Sequence, residues 1–464
     1  MMDIANKDTI AAISTPMGEG GIGIVRMSGR DAIRLAERIF VPVKDSRISS
    51  SASHTVHYGH IKPPGKEEIV DEVLLTVLRS PNTYTTEDMV EVNCHGGVMP
   101  LKKVLELCIS EGARLAEPGE FTRRAFLSGR IDLTQAEAVL DIIKSKTDTS
   151  RRVAVEQLRG TFSEEIMNLR SSIIEVLSQI ELTIDFSQEA VEFPEVDQIT
   201  KKVKDIHTSV LRVLETSDKG MILRDGASVV ICGKPNVGKS SLMNALLKHD
   251  RVIVTPVAGT TRDVIEESIN LSGVRVRISD TAGIIETQDR VEIEGIKRSR
   301  EKLENADTVL FMVDSSRTLS EKDKEIYQTI KGDRTIIVAN KTDLPRKLDL
   351  KKVKELFAQD EVLEVSALKK EGLESLEDAV ANKLFKGDVG MPEGPVVTNA
   401  RHKEVLMNAA GSLERAASVT GDKYNGELLA SDLNEAVRQL GIVTGQTATD
   451  DILDKIFSQF CIGK

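Results

Sequence analysis

Gly233-Lys-Pro-Asn-Val-Gly-Lys-Ser240 follows the apolar residues 227–232 and precedes a stretch of helical character that begins at Ser241. Glycines in such a loop let backbone N–H groups turn towards phosphate oxygens, and the following helix presents its positive end to them. The Lys239 ammonium would reach the β- and γ-phosphates, and the Ser240 hydroxyl would bind Mg²⁺. The stretch therefore predicts a nucleotide-binding unit built on a strand, a phosphate-binding loop and a helix.

A second motif, Asp280-Thr-Ala-Gly283, follows residues 274–279, whose alternation of apolar and polar side chains is typical of a strand. The Asp280 carboxylate would hold the metal ion through a water molecule. The Gly283 N–H would contact the γ-phosphate.

Two further motifs indicate which base is bound. Asn340-Lys-Thr-Asp343 ends an apolar strand, and Ser366-Ala-Leu368 follows another. The Asp343 carboxylate can accept from N1–H and the 2-amino group of guanine, whereas adenine would leave it unpaired. The segment 366–368 suits a backbone donor to guanine O6. Four motifs in this order, each at the carboxyl end of a predicted strand, indicate a GTP site on a doubly wound sheet.

Composition limits the remaining functions. The 464 residues carry a net charge of −11, which argues against an extensive electrostatic interface with nucleic acid. Only 3% of the side chains are aromatic, which argues against binding by base stacking. We therefore expect any RNA contact to use a local patch or a partner. Four cysteines without metal-ligand spacing, and no run of about 20 apolar residues, predict a cytoplasmic protein without a membrane span.

The chain divides into four predicted segments. Residues 1–122 look mixed α/β, 123–222 helical, 223–385 nucleotide-binding, and 386–464 helical again, ending in a tail that contains Cys461. We expect a multidomain α/β plus all-α protein, in which a Ras-like, doubly wound P-loop GTPase domain is inserted into a helical domain. Short amphipathic helices are marginal without a partner, which favours packing of the two helical halves over three independent units.

The chain is similar to a known family in several short segments. They are Asp8-Thr-Ile-Ala-Ala, Gly20-Gly-Ile-Gly-Ile-Val-Arg26, His95-Gly-Gly97, Pro118-Gly-Glu-Phe-Thr122, Asp132-Leu-Thr-Gln-Ala-Glu-Ala138 and Cys461-Ile-Gly-Lys464. With the GTPase motifs, these segments resemble the MnmE (TrmE) family of tRNA modification GTPases over essentially the whole length.

This resemblance implies a homodimer that forms a heterotetramer with the flavin-dependent partner MnmG. The pair would attach an aminomethyl or carboxymethylaminomethyl group to carbon 5 of the tRNA wobble uridine. The one-carbon unit would come from a reduced folate such as 5-formyltetrahydrofolate.

The group that positions the attacking water is not the usual one. Many small GTPases place a Gln after the second motif, but Ile284 stands there and can neither donate nor accept a hydrogen bond. Acidic residues follow at Glu286, Asp289, Glu292 and Glu294. The resemblance selects Glu292, acting through a bridging water.

The resemblance also implies K⁺-stimulated hydrolysis, with two GTPase units meeting face to face. The K⁺ ion would bind Asn236 and oxygens of Thr255, Val257 and Thr260. Thr261 would be the second protein ligand of Mg²⁺ beside Ser240.

The motifs and the resemblance together give the residues expected to contact the nucleotide and its ions. They are Asn236, Val237, Gly238, Lys239, Ser240, Ser241, Thr255, Pro256, Val257, Ala258, Gly259, Thr260, Thr261, Asp280, Thr281, Ala282, Gly283, Asn340, Lys341, Asp343, Ser366, Ala367 and Leu368.

A second set matches family positions that contact the folate: Arg26, Glu87, Arg130 and Lys464. A carboxylate suits the amino-pyrimidine edge of a pterin, and guanidinium groups suit the glutamate tail or polar ring atoms. Arg130 stands where the family often carries Lys. The resemblance gives Cys461 a catalytic role in modification as a hypothesis.

The alternative function is an RNA-binding ribosome-assembly GTPase without modification chemistry. The GTPase motifs do not separate the two, because many relatives share them. The folate set and the Cys461 tail favour the modification enzyme. A signalling switch is a weaker alternative, since such switches are usually compact single domains.

Overall fold

The computed structural model describes residues 8–44, 47–185, 196–249, 268–271, 273–280, 301–330, 332–357, 361–385, 387, 394–419 and 426–464. Contacts divide these residues into two compact units. The first contains the described residues of 8–140 and 438–464, and the second those of 141–437.

The N-terminal part of the first unit is a sheet covered by helices on one face. Within the described residues its seven strands have the order β3-β4-β5-β6-β2-β1-β7, and all neighbours are antiparallel except β1 and β7. Its elements are β1 (Ile10–Ile13), β2 (Gly20–Ser28), α1 (Ala32–Ile39), β3 (Phe40–Pro42), β4 (Thr55–Ile61), β5 (Asp71–Leu78), β6 (Met89–Gly96), α2 (Val98–Ser110) and β7 (Arg114–Leu115).

The two faces of this sheet differ because successive side chains alternate. On β5, Val73, Leu75 and Val77 are buried in the core that α1 and α2 complete. Leu74 points the other way and is 47% exposed, as is Tyr58 directly opposite it on β4, at 49%. Part of the second face is therefore open.

Helices dominate the next segment. They are α3 (Glu120–Leu127), α4 (Leu133–Lys144), α5 (Asp148–Arg159), α6 (Thr161–Asp185), α7 (Val196–Glu215) and α8 (Ser217–Asp225). Thr147 caps α5 by accepting a hydrogen bond from Ser150 N, and Gly160 ends it in a left-handed conformation.

The nucleotide-binding segment has the predicted doubly wound sheet. Its order, β13-β12-β11-β8-β10-β9, is parallel except for the β9–β10 hairpin. The elements are β8 (Ala227–Gly233), α9 (Lys239–His249), β9 (Ser268–Leu271), β10 (Val274–Asp280), β11 (Thr308–Asp314), α10 (Glu321–Ile330), β12 (Thr335–Asn340), α11 (Leu350–Leu356), β13 (Glu361–Glu364) and α12 (Leu373–Phe385).

The central strand explains why this sheet is covered on both sides. Val229 and Ile231 of β8 lie in one hydrophobic core, while Val230 and Cys232 lie in another on the opposite face. A strand that is buried on both faces requires two such layers. The neighbours β10 and β11 flank β8, so the chain leaves β8 at a topological switch point, where ligands bind in such folds.

The last helices are α13 (Ala400–Ser418), α14 (Gly426–Thr444) and α15 (Asp450–Phe457). In the second unit, Thr398 Oγ1 donates to Gln157 Oε1 at 2.8 Å, and Val397 N donates to Thr216 Oγ1 at 3.0 Å. Helix α13 packs against α7. Segments on both sides of the nucleotide-binding fold thus pack together, and the predicted fold class is confirmed. The limits of the four segments stay a prediction.

Among the described helices, none combines the length and apolar character that crossing a membrane requires.

Candidate nucleotide site and a second polar site

The phosphate-binding loop needs glycine at two described positions. Gly233 and Gly238 have φ angles of 142° and 102°. A Cβ atom at Gly238 would lie 2.3 Å from Asn340 Nδ2, and one at Gly233 would lie 2.5 Å from Met312 O. Both residues are therefore fixed by the close approach of neighbouring strands as well as by backbone conformation.

The loop carries its positive charge on Lys239, the first residue of α9. The Lys239 ammonium donates to the carbonyl oxygens of Gly233 at 3.1 Å and Lys234 at 3.0 Å. This places a cation across the loop, beside the helix N-terminus. The combination is suited to binding an anion.

Two residues expected at the Mg²⁺ site, Ser240 of α9 and Asp280 at the end of β10, lie together. Ser240 Oγ donates to Asp280 Oδ2 at 3.0 Å. Asp280 Oδ1 is buried and has no hydrogen-bond partner among the described residues. A hydroxyl oxygen beside an unsatisfied carboxylate oxygen matches the ligands that Mg²⁺ and its bound waters prefer, so these residues fit the ion.

Asn340 joins the phosphate loop to the guanine-side segment. Its Nδ2 donates to Val237 O at 2.8 Å, and its Oδ1 accepts from Ala367 N at 3.0 Å. The Ala367 N–H is thus used by Asn340, and Leu368 is 82% exposed. The expected donation from residues 366–368 to guanine O6 stays a prediction.

Asp343 is an ionised acceptor. Its Oδ1 accepts from Ser366 Oγ at 2.6 Å, and this hydrogen bond is the main cause that lowers the pKa of Asp343. An acceptor-only carboxylate at this position is complementary to the two donors on the guanine edge.

Asp314 was missed in the sequence analysis. It ends β11, and its Oδ2 accepts from Lys341 Nζ at 2.7 Å. Burial by itself would raise the pKa of Asp314, but hydrogen bonds from Lys341 and Ser316 hold it below its ordinary value. The sequence feature that could have identified Asp314 is an acidic residue at the end of an otherwise apolar predicted strand.

Several predicted nucleotide-site residues lie outside the described residues. They are Thr255, Pro256, Val257, Ala258, Gly259, Thr260, Thr261, Thr281, Ala282, Gly283 and Glu292. The roles expected for them stay predictions.

In the first unit, two of the predicted folate residues share one aromatic ring. Arg130 Cζ lies 4.6 Å from the ring centroid of Tyr84, and Arg26 Cζ lies 6.0 Å from it. Arg26 also lies 5.7 Å from the Phe121 ring and pairs with Glu91 at 2.8 Å. Tyr84, which the sequence analysis missed, therefore brings the two guanidinium groups together.

Residues 461–464 are held against the same cluster. Arg26 donates to Gly463 O at 3.2 Å, and Ile462 forms an antiparallel bridge with Pro118. Burial, followed by the charge of Arg26, lowers the pKa of Lys464. The segment with Cys461 and Lys464 thus lies beside Arg26, and the folate role of these residues stays a prediction.

Glu87 has different partners. Ser28 Oγ donates to it at 2.6 Å, and Arg124 Nη1 donates to its two oxygens at 3.1 and 3.2 Å. Arg124, also missed from sequence, holds Asp8 and Glu120 as well. Glu87 does not pair with Arg26 or Arg130. It is linked to that cluster through β2, where Ser28 and Arg26 are two residues apart on one face, and through Thr85, which accepts from Glu87 N and follows Tyr84 in the chain.

The four thiols fall into two classes. Cys94, Cys108 and Cys232 are buried, and burial is the main cause that raises the pKa of each to about 12. Cys461 is exposed. Of the four, only Cys461 can meet a substrate from solution without local opening.

Known proteins match the chain along both units. A profile described as the MnmE helical domain matches residues 133–461, and one described as GTP-binding protein TrmE N-terminus matches residues 9–130. Relatives named tRNA modification GTPase MnmE include the following three. The protein from Thermoanaerobacter pseudethanolicus (strain ATCC 33223 / 39E) is 49% identical and covers 98% of this chain and 99% of its own length. That from Ligilactobacillus salivarius (strain UCC118) is 46% identical, with coverage of 98% for both chains. That from Staphylococcus aureus (strain bovine RF122 / ET3-1) is 44% identical over 98% of this chain and 99% of its own.

Proposed function

This chain belongs to the MnmE family of tRNA modification GTPases, and from that premise we propose that it couples GTP hydrolysis to chemistry at carbon 5 of the tRNA wobble uridine. It is a GTP hydrolase that acts in tRNA modification and uses GTP with Mg²⁺. The observation that carries the GTPase function is the assembly of the phosphate loop, Asp280, Asn340 and Asp343 at one edge of the parallel sheet.

Each described residue of this site has a proposed task. Lys239 and the N-terminus of α9 would bind the phosphates, Ser240 and Asp280 would hold Mg²⁺, and Asp343 would select guanine. Bound Mg²⁺ supplies charge neutralisation on the phosphate oxygens. Asn340 keeps the phosphate and guanine segments at a fixed separation, because its two hydrogen bonds join them directly.

We extend the proposal to the hydrolytic step. A K⁺ ion held by Asn236, Thr255, Val257 and Thr260 would stimulate hydrolysis when two GTPase units meet. Equal hydrolysis rates in Na⁺ and K⁺ would contradict this part.

Glu292 is the proposed water-positioning residue. Glu292→Ala should therefore retain GTP affinity while losing GTP turnover, and unchanged turnover would reject this assignment.

The second site is proposed to bind a reduced folate such as 5-formyltetrahydrofolate. Arg26, Arg130 and Lys464 would pair with its acidic or polar groups, and Glu87 with the amino-pyrimidine edge. Arg124 and Ser28 support this role of Glu87, since their hydrogen bonds to it hold its carboxyl group in one orientation. Cys461, exposed beside this cluster, is the proposed catalytic thiol.

Loss of Arg26 should weaken folate binding. Arg26→Ala removes a guanidinium whose side chain is only 15% exposed and lies near two rings, and we expect 5-formyltetrahydrofolate affinity to fall by about 10- to 100-fold. Equilibrium binding to the full-length protein measures this. Arg30→Ala, an exposed arginine two residues beyond β2, is the matched control. Unchanged folate affinity in Arg26→Ala would show that this site does not bind the folate. Because GTP hydrolysis is measured separately, such a result would leave the GTPase function intact.

We propose a homodimer that uses the open face of the N-terminal sheet. Ile22, Val56, Tyr58 and Leu74 are 66, 60, 49 and 47% exposed and lie on one face by strand register. A contiguous exposed apolar surface is typical of a protein interface. Arg26 lies on the same face, so the proposed interface and folate site are continuous. Sedimentation at the monomer mass at micromolar concentration would contradict the homodimer.

The remaining proposals concern setting and partners. We propose a cytoplasmic protein that forms a heterotetramer with MnmG and acts on tRNA directly or through that partner. We also retain the division at 122/123, 222/223 and 385/386. Reconstitution with MnmG, followed by nucleoside analysis of the tRNA, tests the modification. Unmodified wobble uridine in the presence of both proteins, the flavin, GTP, folate and an amine donor (glycine or ammonium) would refute it.

A further inference from the structure

Two non-glycine residues of the nucleotide site have left-handed backbone conformations. Asn236 in the phosphate loop has a φ angle of 65°, and Lys341, directly after β12, has one of 68°. Such a conformation costs on the order of 1 kcal/mol for most side chains and less for asparagine, so it is Lys341 above all whose surroundings must favour it. The two residues contact each other, because Lys341 Nζ donates to Asn236 O at 2.7 Å.

The Lys341 ammonium is itself held by Asp314. Asp314 Oδ2 accepts from it at 2.7 Å, while Oδ1 accepts from Ser316 N at 2.9 Å and Ser316 Oγ at 2.6 Å. Only 6% of the Asp314 side chain is exposed. A buried carboxylate with both oxygens hydrogen-bonded has little freedom to move, so it fixes the position of its cationic partner.

The next carbonyl group along the phosphate loop is also held by a hydrogen bond. Val237 O accepts from Asn340, the residue before Lys341. Two consecutive carbonyl groups of the phosphate loop are therefore held by two consecutive residues of the guanine-side motif. Removal of Asp314 would leave the Lys341 side chain with a single hydrogen bond at this junction and without its buried counter-ion.

We propose that Asp314 is a positioning residue which, through Lys341, holds Asn236 in its left-handed conformation and so links guanine recognition to the phosphate and cation side of the site. The expected influence of Asp314 on K⁺ binding rests on the proposed function. Its expected influence on the conformation of the phosphate loop does not.

The release rate of a fluorescent GDP analogue from the full-length protein in Na⁺ buffer tests the link. Asp314→Ala should speed release by about 10-fold, as expected when one member of a buried charge pair is removed. Arg317→Ala is the control, since this guanidinium is 73% exposed and 3.8 Å from the same carboxylate, and it should leave the rate unchanged. Asp314→Asn, which preserves side-chain size, replaces Asp314→Ala if that variant melts at a lower temperature than the native protein.

A double-mutant cycle separates positioning from a general effect on stability. In a Lys341→Met background, Asp314→Ala should change the release rate by less than about twofold, because the ammonium group through which Asp314 acts is absent. The same 10-fold acceleration in both backgrounds would overturn the proposal.

The K⁺ response gives a second readout. The K⁺ concentration for half-maximal hydrolysis should rise several-fold in Asp314→Ala, with the rate at saturating K⁺ retained. An unchanged half-maximal concentration would overturn the link to the cation. A native protein that hydrolyses GTP equally in Na⁺ and K⁺ would instead refute the K⁺ proposal, and the release-rate cycle in Na⁺ would still decide the role of Asp314.

Discussion

Asp343→Asn is expected to weaken GTP binding by about 10³-fold, since two hydrogen bonds to a charged acceptor are worth several kcal/mol together. The Asp343 carboxylate, held ionised by Ser366, offers only acceptors. An amide would direct a donor group towards the N1–H or 2-amino donor of guanine. Xanthine carries an oxygen in place of the 2-amino group, so affinity for xanthosine triphosphate should rise.

Competition binding with GTP, ATP and xanthosine triphosphate measures this change. Asp349→Asn is the matched control, because Asp349 caps α11 through Lys351 N and asparagine caps a helix equally well. If Asp343→Asn bound GTP as tightly as the native chain, the assignment of Asp343 to guanine would be wrong.

Gly463→Ala is expected to reduce tRNA modification by about 100-fold, the order of loss that follows displacement of reacting groups by about 1 Å. Gly463 has a φ angle of 93°, and a Cβ atom there would lie 2.4 Å from Ile13 O and 2.8 Å from Ser14 Cα. The substitution would push the 461–464 segment away from Arg26, and with it Cys461. The rate of GTP hydrolysis should stay within about twofold of the native rate, because the substituted residue and its clashing neighbours belong to the first unit.

Gly65→Ala provides the control, since Gly65 also has a positive φ angle, 73°, but a Cβ atom there meets nothing within 4 Å. Both variants therefore place alanine at a positive φ angle, and only Gly463→Ala adds the steric clash. Wild-type modification by Gly463→Ala would show that the seating of this segment is unimportant for the reaction. Modification would be read from tRNA nucleosides after reconstitution with the proposed partner MnmG.

The nucleotide fold was predictable from sequence because its signals are local. Each motif directly follows a buried strand, and parallel strands bring their carboxyl ends to one edge of the sheet. That rule alone places Ser240 near Asp280, and Asn340 near the loop. It does not reveal which group Asn340 contacts, because its two hydrogen bonds join residues 103 positions before it and 27 positions after it.

The second site depends on contacts between distant segments. Arg26 and Gly463 are 437 positions apart, and no periodicity or spacing connects them. Family resemblance identified Arg26 and Arg130, but not Tyr84, on whose ring they meet. Arg124 was missed for a related reason: a lone arginine on a helix usually indicates a solvated surface, and only the tertiary structure shows that it is buried among three carboxylates.

The unequal burial of the four thiols has a practical outcome. A maleimide fluorophore at neutral pH requires an accessible thiolate, so it should attach to Cys461 and leave Cys94, Cys108 and Cys232 unlabelled. The native sequence is then already a single-dye probe. Its emission would report on the surroundings of residue 461 during turnover, with no engineered cysteine.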